Sequence, residues 1–173
     1  DGPVVAAHND TDEVWSTELT LSRRSTAAGS PVLASETLGL KVGARSATSI
    51  ALPASVADAG DPATEYVEVR AADGSTAYWY FVDDTALRLV APAEAFAVET
   101  SATPDGYDVT VTAHALVKDL ALFPDRLAPA ARVDSGLITL AAEESHTFHV
   151  TGAPAPSGPL GVPVLRSVND LLN

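Results

Sequence analysis

The sequence predicts an all-β chain made of two consecutive immunoglobulin-like antiparallel β-sandwich domains. Three observations predict it. Apolar and polar residues alternate with period two along short segments, which sets one face of each strand in a core and the other in water. Turn-forming clusters recur at intervals of roughly 8 to 12 residues. No segment carries the apolar spacing of a long amphipathic helix. The expected boundaries are 1–90 for the first sandwich, 91–152 for a smaller second one, and 153–173 for a Pro/Gly-rich extended tail with a candidate docking strand.

Val4 to His8 is the first strand. Asn9 to Glu13 is a turn, because Asx side chains cap their own backbone. In Val14 to Arg23, Trp15, Thr17, Leu19 and Leu21 share the inner parity, while Ser16, Glu18 and Thr20 face out. Ala27 to Pro31 turns the chain into the strand Val32 to Val42. Gly43 ends that strand, and Ser46 to Leu52 follows. The loop from Pro53 to Pro62 has room for one helical turn. In Glu65 to Ala71, Val67 and Val69 point in and Tyr66, Glu68 and Arg70 point out. Asp73-Gly74 is a hairpin signal, with Thr76 to Val82 as the partner strand.

Asp83 to Pro92 is a short connection. The second set of strands is Phe96 to Thr100, Tyr107 to Ala113, Leu116 to Phe123, a piece near Arg132, Leu137 to Leu140, and His146 to Thr151. Tyr107 to Ala113 alternates most cleanly, with Tyr107, Val109 and Val111 on one parity and Asp108, Thr110 and Thr112 on the other. Gly152 to Pro163 is expected to be extended, and Val164 to Leu172 to form a last strand or docking segment.

Composition narrows function by exclusion. The 173 residues carry 23 acidic and 10 basic side chains, a formal net charge of −13. A surface this negative repels phosphate backbones and anionic lipid, which excludes nucleic acid and membrane as partners. No apolar run approaches the roughly 20 residues a membrane helix needs. The absence of cysteine excludes disulfides and thiolate metal sites, and leaves bacterial cytoplasmic and secreted settings both open. The chain begins at Asp1 and lacks methionine. It is therefore expected to be a piece of a longer polypeptide, and a missing leader carries no information.

The order of features resembles the C-terminal immunoglobulin-like domains of β-mannosidases in glycoside hydrolase family two. In the first module the resemblance rests on Val4-Val5 through Asn9-Asp10-Thr11-Asp12, on Trp15 and Leu19, and on Tyr78-Trp79-Tyr80-Phe81-Val82-Asp83 leading to Leu87 and Leu89. In the second it rests on Ala115 to Leu120, Asp134-Ser135-Gly136, Leu140 and the closing Leu165 to Leu171. Leu137-Ile138 and Ala142-Glu143-Glu144 depart from the family's pattern. In such enzymes a (β/α)₈ barrel lying upstream carries the two catalytic carboxylates. The resemblance thus implies a non-catalytic accessory fragment whose partner is the upstream catalytic domain of the same parent chain, with no catalytic residue and no cofactor to carry over.

Local chemistry points the same way. A retaining glycosidase holds two carboxyl groups about 5 Å apart. The adjacent pairs Asp12-Glu13, Asp83-Asp84 and Glu143-Glu144 point to opposite faces of an extended backbone. His146 and His149, three residues apart, diverge on a strand. Asp10, Asp12 and Glu13 fall short of a complete calcium loop, so no metal site is expected. Aromatics remain, because sugar rings stack on exposed Trp and Tyr faces. Trp15 shares parity with Leu19 and Leu21 and belongs to the core. Tyr66, Tyr78 and Tyr80 are the candidate surface contacts for an oligosaccharide, with Tyr66 expected to be the best exposed. A carbohydrate-binding module and a cell-surface immunoglobulin-like interaction module are the competing functional classes.

Overall fold

The computed structural model describes residues 2–172. The chain divides into two compact units, Asp1–Ser25 with Pro31–Leu87, and Thr26–Ser30 with Arg88–Asn173. Both are antiparallel β-sandwiches, and every strand pairing described is antiparallel. Among the described residues no helix is long and apolar enough to cross a membrane.

The first unit contains β1 (Val4–Asn9), β2 (Trp15–Ser25), β3 (Val32–Val42), β4 (Ser46–Ala51), β5 (Glu65–Ala71) and β6 (Thr76–Tyr80). A two-stranded sheet, β1-β4, packs on a four-stranded sheet in the order β3-β2-β5-β6. The alternation of β2 sends Leu19 and Leu21 into the core. They meet Leu40, Val42, Val67 and Val69 from the same sheet, and Ala7 from β1. Trp15 packs on this cluster and is half-buried. The helical turn expected after Pro53 spans Ala54–Ala57 and inserts the fully buried Val56. The Asp73-Gly74 turn closes the β5–β6 hairpin, with Gly74 at φ 89° and the Ala71 N–H donating to the Ser75 carbonyl at 2.8 Å.

The β1–β2 turn is built by Asn9, which is buried. Its Nδ2 donates to the carbonyls of Glu13, Val42 and Gly43, and its Oδ1 accepts from the N–H and hydroxyl of Thr11. One amide thereby satisfies backbone groups of two connections at once, as buried polar groups require.

The second unit contains β7 (Phe96–Thr103), β8 (Gly106–Ala113), β9 (Val117–Leu122), β10 (Arg132–Val133), β11 (Ile138–Leu140), β12 (Ser145–Thr151) and β13 (Leu165–Arg166). Its sheets are β10-β12-β8-β7 and β11-β9-β13. Tyr107, Val109, Val111, Phe148 and Val150 face Val117, Leu120, Leu122, Leu140 and Leu165 across the core. Gly106 is required where β8 meets β12, because a Cβ there would lie 1.9 Å from the Val150 carbonyl oxygen.

Residues 153–173 were expected as a tail with a docking strand. Leu165 and Arg166 pair with Leu122 and Ala121 of β9, and Val164 and Leu165 are buried in this unit's core. A 3-10 turn, Val168–Leu172, follows.

Candidate functional site

The candidate aromatics lie on one face of the β2–β5–β6 sheet. β5 presents Tyr66, Glu68 and Arg70 with a common parity. Its register sets Tyr66 between Arg24 of β2 and Tyr80 of β6, and Glu68 between Ser22 and Tyr78. The sequence thus brings all three tyrosines together from a single hairpin. Ring centroids lie 6.3 Å apart for Tyr66–Tyr78, 6.4 Å for Tyr66–Tyr80 and 6.5 Å for Tyr78–Tyr80. The last two rings are nearly parallel, at 15°.

Tyr66 overturns its sequence expectation. It is 0% exposed, whereas Tyr78 and Tyr80 are half-buried. The cause is cross-strand packing: β5 is an inner strand, with Arg24 of β2 on one side of this face and Tyr78 and Tyr80 of β6 on the other. The same effect buries Glu68, expected to face water, to 2% exposure. Parity assigned these residues to one face correctly, but that face is covered.

A buried carboxylate requires compensating charge. Arg24 Nε lies 2.6 Å from Glu68 Oε2, and Arg70 Nη2 lies 2.6 Å from Glu68 Oε1. Arg70 Nε adds a second contact to Oε1 at 3.0 Å. Both oxygens of Glu68 are therefore taken by guanidinium groups. This Arg24–Glu68–Arg70 clamp was missed by sequence reasoning. The only local signal was the opposite charge at positions 68 and 70 on one strand face; Arg24 enters through register alone.

The opposite end of β5 carries a second clamp. Glu65 lies on the other parity and is also buried. Arg23 Nη1 contacts its Oε2 at 2.5 Å, while the Gly60 and Asp61 N–H groups donate to Oε2 and Oε1 at 3.1 and 3.0 Å. Burial by itself would raise the Glu65 pKa. The Arg23 guanidinium and the two N–H donors outweigh it and hold the carboxyl below its ordinary value. Glu65 and Glu68 are the buried acids among the described residues, and they project from opposite faces of β5. They do not form the facing pair that glycoside hydrolysis uses.

The remaining candidates are dispersed. Both oxygens of Asp12 receive hydrogen bonds from Arg45, at 2.8 and 3.1 Å. His149 Nδ1 meets Asp108 Oδ1 at 2.8 Å on an exposed sheet face. His146 instead sets its ring edge on Phe148, 4.7 Å between centroids. Among the described residues no group of three or more His, Cys, Asp or Glu side chains could hold a metal ion.

No family model and no curated protein matches the sequence. The fold does have counterparts among solved structures. The chain is similar to part of the β-D-mannosidase of Dictyoglomus thermophilum, with a TM-score of 0.60 at 13% identity over 86% of this chain. It is similar to part of the exo-chitosanase CsxA of Amycolatopsis orientalis, with a TM-score of 0.54 at 16% identity, again over 86% of this chain. The matched region spans 18% of the mannosidase chain and 22% of the chitosanase chain. The chain therefore shares an all-β fold with a minor portion of two much larger sugar-cleaving enzymes.

Proposed function

We propose that the chain is a non-catalytic accessory β-sandwich region of a larger glycoside hydrolase of the β-mannosidase kind, supporting a catalytic domain upstream in the same polypeptide. The observation that carries this reading is the fold match over 86% of the chain to only 18% of a β-D-mannosidase. The two engaged buried acids, Glu65 and Glu68, fit a supporting rather than a reacting role, since each is committed to arginine. Reading the coding sequence upstream of Asp1 tests it: the expected result is a (β/α)₈ barrel with two facing carboxylates. Purified chain should also fail to hydrolyse a nitrophenyl β-mannoside. Measurable turnover, or an upstream sequence with no barrel, would sink the proposal.

A second reading, an oligosaccharide-binding face, is favoured by one observation. Tyr78 and Tyr80 present half-exposed, near-parallel rings, the arrangement on which sugar faces stack. In this reading Tyr66 supports the pair from below rather than touching ligand. Titration with mannotriose should shift the Tyr78 and Tyr80 ring resonances, and Tyr78→Ala should abolish the shift. Unmoved resonances at millimolar sugar would exclude it.

A further inference from the structure

The first unit is an unequal sandwich, two strands facing four, and it is open along one side. β1 has β4 as its neighbour on one edge. Its other edge runs along a groove of about 210 Å³, which Val5, Ala6, Ala7 and His8 line consecutively. Consecutive lining residues mean that the strand presents its main chain. The floor includes Leu19, Val69 and Ala71, and the far rim is Ser75, Thr76 and Ala77 at the start of β6. Two residues beyond Ala77, on the same parity, Trp79 is 49% exposed. It stands opposite the core residue Val67, so its side chain points to the inner side of the sheet at a place the two-stranded layer does not reach.

The edge groups are set for pairing. The Pro3 carbonyl accepts the Leu52 N–H at 3.1 Å, which fixes the alternation of the β1–β4 ladder. The main-chain groups of Val4, Ala6 and His8 then turn toward the open edge. Natural sheets protect such edges with charge, proline or a bulge. β1 (VVAAHN) and β6 (TAYWY) carry no Lys, Arg, Asp, Glu or Pro, and their pairing registers run without a bulge. One end of the groove is acidic. Asp10, Glu13 and Asp73 gather with His8 around an adjoining hollow, and all three acids are exposed. Asp12, by contrast, is already paired with Arg45.

We propose that this groove receives an extended segment of another protein, which adds to β1 as a third strand. Alternate apolar side chains of that segment would lie along the groove and cover Trp79. A Lys or Arg at its end would sit beside Asp10, Glu13 and Asp73. Main-chain pairing supplies affinity in such strand addition, and alternate side-chain contacts supply selectivity. Complementary charge fixes the direction of the added strand.

The test uses the full chain and two synthetic peptides, acetyl-KVTVTVT-amide and its counterpart with Glu in place of the Lys. The Lys peptide should shift the Val4, Ala6 and His8 amide resonances saturably and move Trp79 emission to shorter wavelength. The Glu peptide should bind about tenfold more weakly, and this preference should vanish in an Asp10→Asn, Asp73→Asn double variant. Ala6→Pro removes an outward N–H and should weaken the Lys peptide by about tenfold or more. Trp79→Thr, which leaves β1 untouched, should weaken it as well and keeps the test valid if the proline variant misfolds. Three results would overturn the proposal: no shift at the β1 amides, equal binding of the two peptides, or edge pairing between two copies of the chain, seen as self-association lost in Ala6→Pro.

Discussion

Asn169 Nδ2 donates to the carbonyl oxygen of Leu116, fifty-three residues earlier, at 3.0 Å. The same nitrogen donates to the Val90 carbonyl at 2.9 Å, and Asn169 Oδ1 accepts the Lys118 N–H at 3.1 Å. One amide near the end of the second unit, 1% exposed, thus satisfies three backbone groups from its start and middle. The closing segment is held by polar pinning as well as by the burial of Leu165.

Asn169→Ala is therefore expected to cost about 2–3 kcal/mol, because it strands buried backbone partners rather than merely deleting a bond. Asn169→Asp should cost at least as much, since it turns an acceptor toward two carbonyls. Amide exchange of β8 and β9 is the measurement to use. Trp15 and Trp79 both lie in the first unit, so tryptophan fluorescence reads that unit and not this one. Unchanged exchange in β9 would refute the prediction.

The alternation that first signalled sandwiches was legible wherever a strand has one dry and one wet face. β8 is the clearest case, with Tyr107, Val109 and Val111 buried and Asp108, Thr110 and Thr112 partly exposed. β5 was legible only by half. Its parity correctly separates Val67 and Val69 from Tyr66 and Glu68, yet all four are buried. Whether a polar-looking face is covered depends on what the register brings alongside, and register is a long-range property. Arg24 lies more than forty residues from Glu68 in sequence, and nothing local announces their ion pair. The same holds for Asn9, which reads as an ordinary turn residue, and for Asn169, which reads as part of a last strand or docking segment, until their distant carbonyl partners are known. The Tyr66–Tyr78–Tyr80 grouping was readable because a tight hairpin converts sequence order directly into cross-strand neighbours.

The His149–Asp108 contact makes a pH-dependent link between the two inner strands, β12 and β8. The Asp108 carboxylate at 2.8 Å raises the imidazole pKa above its ordinary value, first by hydrogen bonding and then by charge, with Asp134 adding to it. Because the folded-state value is raised, the contact stabilises fully below the unfolded histidine value of about 6.5 and fades as pH climbs through the folded value. Asp134 behaves in the opposite sense. Burial alone would raise it, but the His149 N–H, the Ser135 hydroxyl and the imidazole lower it. Its contribution persists above the ordinary carboxylate range and is lost as pH falls through its depressed value. Exchange protection at Asp134 and His149 should thus decline as pH rises above the ordinary histidine value of about 6.5. Asp108→Asn should abolish that decline and return the His149 titration midpoint toward its ordinary value. A midpoint unmoved by Asp108→Asn would contradict the assignment.

Tyr107 provides the reverse experiment, a polar atom whose removal should help. Its side chain is fully packed in the second core, and its hydroxyl has no protein hydrogen-bond partner among the described residues. Burial raises the hydroxyl's pKa, as desolvation of the phenolate requires. A buried hydroxyl without a partner costs free energy that the ring's apolar contacts must offset. Tyr107→Phe keeps those contacts with Val150 and its core neighbours and deletes only the oxygen. It should leave the second unit as stable as before or more stable by about 1 kcal/mol, read by calorimetry and by β8 amide exchange. Tyr107→Ala serves as the contrast and should cost about 3–5 kcal/mol, since it empties the largest side chain on that face of β8. If Tyr107→Phe instead destabilised the unit by more than about 1 kcal/mol, the hydroxyl would have to be hydrogen-bonded, and the packing of β8 against the closing segment would need to be redrawn.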